Sequence, residues 1–241
     1  MATLAEPAPI RFSGERKFFG AMALIMVVAT FVGFAPSYYL APAFGGKPLS
    51  VLLHVHGVVF TLWMLLYVVQ TGLVSARRTD IHRLIGPVGL ALAVAMVPLG
   101  VATAIITKQV AAANHLPPSG PPLIFPIGAI LTFAVLVGAG LAMRKRSAWH
   151  KRLMFLGTAA ILTTPLARIT RFSHLGLMPA LGGMILSDLL LIGLAAYDLK
   201  TKGRLHSATL WGGGFFLATQ AVRILLNMTP AWQAFAKGLT G

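Results

Sequence analysis

Seven apolar stretches, each long enough to cross a bilayer, are separated by short connections, and every second connection is basic. The basic ones hold Arg77, Arg78 and Arg83; then Arg144, Lys145, Arg146, Lys151 and Arg152; then Lys200, Lys202 and Arg204. This alternation is the positive-inside signature, which predicts a polytopic membrane protein and its orientation together. About twenty helical residues, rising about 1.5 Å each, cross a hydrocarbon core of about 30 Å. Spans are expected near 19–41, 51–74, 84–106, 122–143, 153–172, 177–199 and 208–228. Helices are the expected form, because open strands would leave backbone groups unpaired in lipid.

The predicted fold class is therefore all-α: an integral membrane bundle of seven transmembrane helices, N-terminus cytoplasmic and C-terminus outside. Residues 1–18 read as a cytoplasmic segment, 19–228 as the transmembrane domain and 229–241 as an external tail. The expected location is the bacterial inner membrane, with the lipid bilayer as partner. A chain that is 57% hydrophobic and 10% charged could not keep such a surface in water. Its net charge of +15 does not point to nucleic acid. Fourteen of the twenty Lys and Arg, counting Arg11, Arg16 and Lys17, fall on the expected cytoplasmic side. There they orient helices and meet anionic headgroups rather than track phosphates. With no cysteine, thiolate metal sites, iron–sulfur clusters and thiol catalysis are excluded. Ala41-Pro42-Ala43 resembles a signal-peptidase site, but the run from Phe18 to Leu40 is too long for a signal-peptide core and reads as a retained first helix.

Small residues recur at packing intervals, as in Ala134, Gly138 and Ala142, where they would let helices approach closely. Pro117-Pro118-Ser119-Gly120-Pro121-Pro122 reads as a rigid external loop, and Gly212-Gly213-Gly214 as a close contact opening the last span. Three spans each follow a basic loop with a histidine (His82, His150, His206) and then a glycine (Gly86, Gly157, Gly212), a shared way of anchoring a helix at the interface.

The polar residues inside the spans carry the functional reading. Asp188 sits mid-span, where an ionised carboxylate costs on the order of 3 kcal/mol or more without a partner. Counted from the cytoplasmic ends at about 1.5 Å per residue, Asp188, Gln220, Arg223, Arg168 and His56 fall between about 17 and 23 Å. They define an expected polar layer with Thr163 and Thr164 just beneath. Either Asp188 pairs with Arg168 or Arg223 to lock the helices in register, or the groups line a cavity. The surplus positive charge would suit a haem propionate or a quinone oxygen. His54 and His56 are about 200° apart around one helix, so only one faces inward, and His56 is the choice. A bis-histidine haem b needs two imidazoles from different helices. The outer side offers His56 with His174 or His54, and the inner side His82 with His150. The cofactor-binding candidates are thus His56, His82, His150, His174, Arg168 and Arg223; three histidines, His56, His82 and His150, are the candidates for a divalent metal.

At His82-Arg83-Leu84-Ile85-Gly86 and His150-Lys151-Arg152-Leu153-Met154 the chain resembles a family of uncharacterised bacterial polytopic inner-membrane proteins. Those proteins carry an HRxxG signature opening one helix and an HxRWM signature opening a later one. The family's preceding histidine and glutamine correspond to His54 or His56 and to Gln70, and its late arginine to Arg168. Pro87 and Leu153 depart from the pattern, where the family often has Arg and Trp. The resemblance covers roughly residues 50–172 and implies no activity. A looser likeness is to the transmembrane dihaem cytochromes b, in the placement of histidines rather than in motif.

Two function classes follow. The first is a membrane redox protein binding haem b or a quinone. The second is a transporter, lipid-binding protein or membrane-complex assembly protein whose polar groups line a cavity. A permeation route needs a broken helix near the midplane, and Pro165 is the residue expected to break one.

Overall fold

The computed structural model describes residues 10–46, 48–116, 120–172 and 178–240, and all its regular elements are helical. Helix α1 (Ile10–Phe34) runs into a π-helical turn, Ala35–Tyr39, and a short 3-10 turn, Ala41–Phe44. There follow α2 (Val51–Ser75), α3 (Thr79–Ala113), α4 (Ile124–Ala142), α5 (Ser147–Ile161), α6 (Thr163–Phe172), α7 (Pro179–Lys202), α8 (Ser207–Asn227) and α9 (Pro230–Thr240). By length and composition six of these can each cross a membrane, and α5 with α6 make a seventh span if that bent pair is counted as one. Exposed apolar side chains such as Leu24, Val28, Val58, Leu62 and Leu65 clothe the outside, as suits contact with lipid. The molecule is a multi-pass helical membrane protein.

The helix borders follow local chemistry. Ser50 caps α2 by accepting from the Leu53 amide at 3.4 Å. Prolines open α7 and α9, where an amide hydrogen would have had no partner. Gly203 ends α7 with φ of 68°, a left-handed cap. Helix α3 is longer than the expected span, 35 residues from Thr79 to Ala113, because its hydrogen-bonded ladder continues through both flanks. The expected C-terminal tail is instead the helix α9, tied to α3 by the Gln109 amide donating to the Leu239 carbonyl at 2.8 Å.

The expected break is present. Helices α5 and α6 meet at 42°, with the turn at Leu162. Pro165 cannot donate an amide hydrogen, and its ring crowds the Ile161 carbonyl four residues back. The Leu162 amide consequently reaches only three residues back, to Ala159, at 3.1 Å.

The helices pass around the bundle in the order α1, α2, α3, α4, α8, α7, α6 and back to α1, with α5 packed against α4, α7 and α8. The run Phe155-Leu156-Gly157-Thr158-Ala159-Ala160 is buried on every side. Close crossings depend on glycine. A Cβ on Gly33 would stand 2.4 Å from the Pro165 carbonyl oxygen, and one on Gly157 2.7 Å from Val137. At Gly183 it would lie 2.3 Å from the Thr163 carbonyl oxygen and 2.8 Å from the Ala167 amide, so α7 would have to move off α6. We expect Gly183→Ala to lower stability by about 1–3 kcal/mol, the scale of an overpacked core, read as a fall in melting temperature in detergent. Ala134, Gly138 and Ala142 do not form the expected seam: Gly138 and Ala142 are exposed, and α4 buries Ala129, Phe133, Leu136, Val137 and Gly140 instead.

Candidate functional site

Three polar groupings occupy the bundle. The first lies at the end that carries the basic connections. Arg152 on α5 and Asp198 on α7 form an ion pair that is 1% and 0% exposed. The Arg152 Nε donates to both Asp198 oxygens at 3.1 and 3.2 Å, and Nη2 donates to Oδ1. The remaining carboxylate capacity takes the Thr209 hydroxyl and the His206 amide, at 3.2 Å for the latter. Arg152 Nη1 meets the Ala148 carbonyl at 3.0 Å. Four donor atoms converge on the Asp198 carboxylate, and α5, α7 and α8 are joined at one point. Beside it Lys151 pairs with Glu15 and lies 5.4 Å over the Phe19 ring, which binds α1 to α5. Burial, then the Arg152 and Lys202 charges, hold His206 below the usual imidazole range. Its neutral Nδ1 accepts from the Ala208 amide at 3.0 Å and caps α8. That cap contributes fully above the ordinary histidine value of about 6.5 and is lost as pH falls through the depressed one.

The second grouping is the expected polar layer, which is divided rather than continuous. Asp188, half-buried on α7, accepts from the Gln220 amide at 2.8 Å, and that amide also reaches Ser187 at 3.4 Å. Neither arginine forms the expected ion pair with Asp188. Arg223 is 3% exposed and turns to α4, where Nη1 donates to the Phe125 carbonyl at 3.4 Å; its Nε donates to the Thr219 carbonyl of its own helix at 3.0 Å. Arg168 points to α1, donating to the Ser37 hydroxyl at 2.8 Å and lying 4.8 Å over the Phe34 ring. Thr163 donates to the Ala160 carbonyl of the preceding turn at 3.1 Å, and Thr164 is half-buried on the same helix. These groups sit on different faces, and Asp188, Arg168 and Arg223 each find a neutral partner.

The third grouping differs because its atoms are unpaired. Among the described residues, the buried side-chain atoms without a partner are His56 Nδ1, Trp63 Nε1 and Gln70 Oε1 on α2, His82 Nδ1 and Thr103 Oγ1 on α3, and Thr158 Oγ1 on α5. An unsatisfied polar group in a hydrocarbon interior costs several kcal/mol, so native chains keep few of them. All six lie on α2, α3 and α5, and none on α1, α6, α7 or α8. The α2 members are seven residues apart and share one face.

At the basic end of that face stand His82 and His150, on α3 and α5. Their ring centres are 6.3 Å apart with planes at 84°. His150 Nδ1 lies 2.8 Å from the Gly140 carbonyl, which fixes the proton on Nδ1 and leaves Nε2 as a free lone pair. The His82 ring lies beside the backbone of Gln70. The expected inner pair is thus brought together. His56 does not join it: it stands about 28 Å along α2 from the basic end at 1.5 Å per residue. The described residues hold no group of three or more His, Asp or Glu that could bind a metal, so His56, His82 and His150 are not one metal centre. His174, the expected outer partner of His56, lies outside the described residues. His54 is exposed and its backbone carbonyl accepts from the Tyr38 hydroxyl at 3.3 Å, whereas His56 Nδ1 is buried.

His82 and His150 are the residues that would hold a metal-bearing cofactor at this end, two imidazoles brought together from different helices. The donor chemistry fits haem iron, with the far nitrogen of one imidazole already oriented by a carbonyl.

Arg152 and Asp198 escape a reading of sequence alone because both sit among interfacial charges and pass as loop residues. One signal was available: Asp198 is one of only five acidic residues in a chain with twenty basic ones. No protein-family model, curated protein or solved structure matches this chain. What fold and site define is a multi-pass helical membrane protein whose unpaired buried polar atoms, among the described residues, lie on α2, α3 and α5.

Proposed function

We propose that the chain is a redox protein of the bacterial inner membrane, N-terminus inside, that holds haem b between His82 and His150. The observation that carries this reading is the 6.3 Å approach of two imidazoles from different helices, one of them oriented by the Gly140 carbonyl. A bound haem would supply one-electron transfer. His82 and His150 would hold it, and the Gly140 carbonyl keeps the His150 ring in the tautomer whose Nε2 could ligate.

The experiment is a visible spectrum of the detergent-purified protein from haem-replete cells, air-oxidised and then dithionite-reduced. A Soret band that shifts on reduction, with α and β bands appearing, is the expected result. A featureless spectrum ends the haem reading. The second reading is then a transporter, lipid-binding protein or assembly protein, which the 42° break in the central span favours.

A further inference from the structure

The unpaired atoms farthest from the histidine pair form a second grouping, at the opposite end of the bundle. Helices α2 and α3 run antiparallel there, and their level is fixed by one contact: a Cβ on Gly100 would lie 3.4 Å from the tip of the Phe60 ring. One turn further out on α2, His56 stacks on Phe60, ring centres 4.1 Å apart and planes at 30°. One turn further out on α3 comes Thr103, 8% exposed. His56 Nδ1 and Thr103 Oγ1 are therefore level, on facing helices, both buried and both without a partner.

Thr103 is an exception to the habit of its own fold. Thr30, Thr61, Thr71, Thr107 and Thr132 each turn the hydroxyl onto the carbonyl four residues back, at 2.6–2.9 Å, the cheapest way to hide it in lipid. Thr107, one turn away on the same helix, does this onto the Thr103 carbonyl. The Thr103 hydroxyl is left free, at the level of the His56 imidazole on the neighbouring helix. Phe60 lies beneath His56, and the Tyr38 ring packs so closely on the next residue of α2, Gly57, that a Cβ there would lie 2.3 Å away.

We infer that His56 and Thr103 form a binding site for a carbonyl oxygen of a membrane-soluble molecule. A hydroxyl and an imidazole N–H are donors without a fixed charge, so the atom they select is a neutral acceptor rather than a phosphate or carboxylate. The setting in an apolar bundle restricts the ligand to one that dissolves in lipid. Two sources carry that chemistry, a quinone ring and a glycerolipid ester. The site needs no haem in the protein and is tested without one.

Delipidated protein in detergent is titrated by calorimetry with a benzoquinone bearing one isoprenoid unit and, separately, with a short-chain diacyl phosphatidylcholine below its micellar concentration. Saturable binding of one of them is expected, and identifies the source. Thr103→Val and His56→Leu should each weaken it about 10-fold, the loss of roughly one hydrogen bond to a buried group. Thr107→Val, whose hydroxyl is already satisfied, should leave it unchanged. Thr103→Val keeps the side-chain shape and decides the matter if His56→Leu does not fold. No saturable binding of either ligand, or equal affinity in Thr103→Val and the parent, overturns the inference. Neither result touches the haem spectrum, so the two readings fail separately.

Discussion

Asp198→Ala should cost about 3–5 kcal/mol of stability, the largest loss of any single side chain in this protein. The substitution leaves the Arg152 guanidinium, 1% exposed, with no opposite charge, and strips the Thr209 hydroxyl and His206 amide of their acceptor. The attraction within such a pair only roughly offsets its desolvation, but removing one partner leaves the whole penalty of the other. The check is a melting curve by size-exclusion fluorescence, in which Asp198→Ala should lose its folded peak well below the parent's temperature. The apolar pair Arg152→Met with Asp198→Leu should recover most of the loss, because it removes both charges together. Asp188→Asn is the contrast: the carboxamide can still accept from Gln220, so the change should be small. A melting temperature for Asp198→Ala within a degree or two of the parent would sink the assignment of this pair as the lock of the basic end.

The second large effect is spectral. His82→Ala and His150→Ala should each remove nearly all of the reduced α and β bands, because a six-coordinate haem needs both imidazoles. His150→Ala also leaves the Gly140 carbonyl without its partner. His56→Leu, about 28 Å along α2 from that end, should leave the bands intact. Haem content by pyridine haemochrome separates lost binding from a changed ligand. If both single variants kept the parent spectrum, His82 and His150 would not be the ligands, whatever else bound the haem.

The sequence was most legible where one dimension was enough. Hydropathy located the long apolar helices, and the missing amide of Pro165 located the bend at Leu162. The pair His82 and His150 was found because both open helices at the same end. Depth counting failed where rotation about the helix mattered. Arg168, Asp188 and Arg223 turn to different neighbours, the end of the first span, α8 and α4 respectively. Azimuth is set by which neighbour each helix chooses, and nothing local in sequence encodes it. The Arg152–Asp198 pair was hidden for the opposite reason: each residue sits among charges that a topology argument assigns to the surface. Thr103 was invisible too, since a threonine in a span ordinarily satisfies itself.

The bend at Leu162 has a mechanical consequence. Its two arms are fastened to the same two neighbours at different points: α5 to α7 through Arg152 and to α1 through Lys151, and α6 to α7 at Gly183 and to α1 through Arg168 and the crossing at Gly33. A straight helix in the same position would act as a rigid axle, carrying any displacement at one membrane face to the other. An interrupted ladder transmits torque poorly, so a load on one face of this protein passes to the other through α1 and α7, which hold both arms, rather than along the bent helix between them.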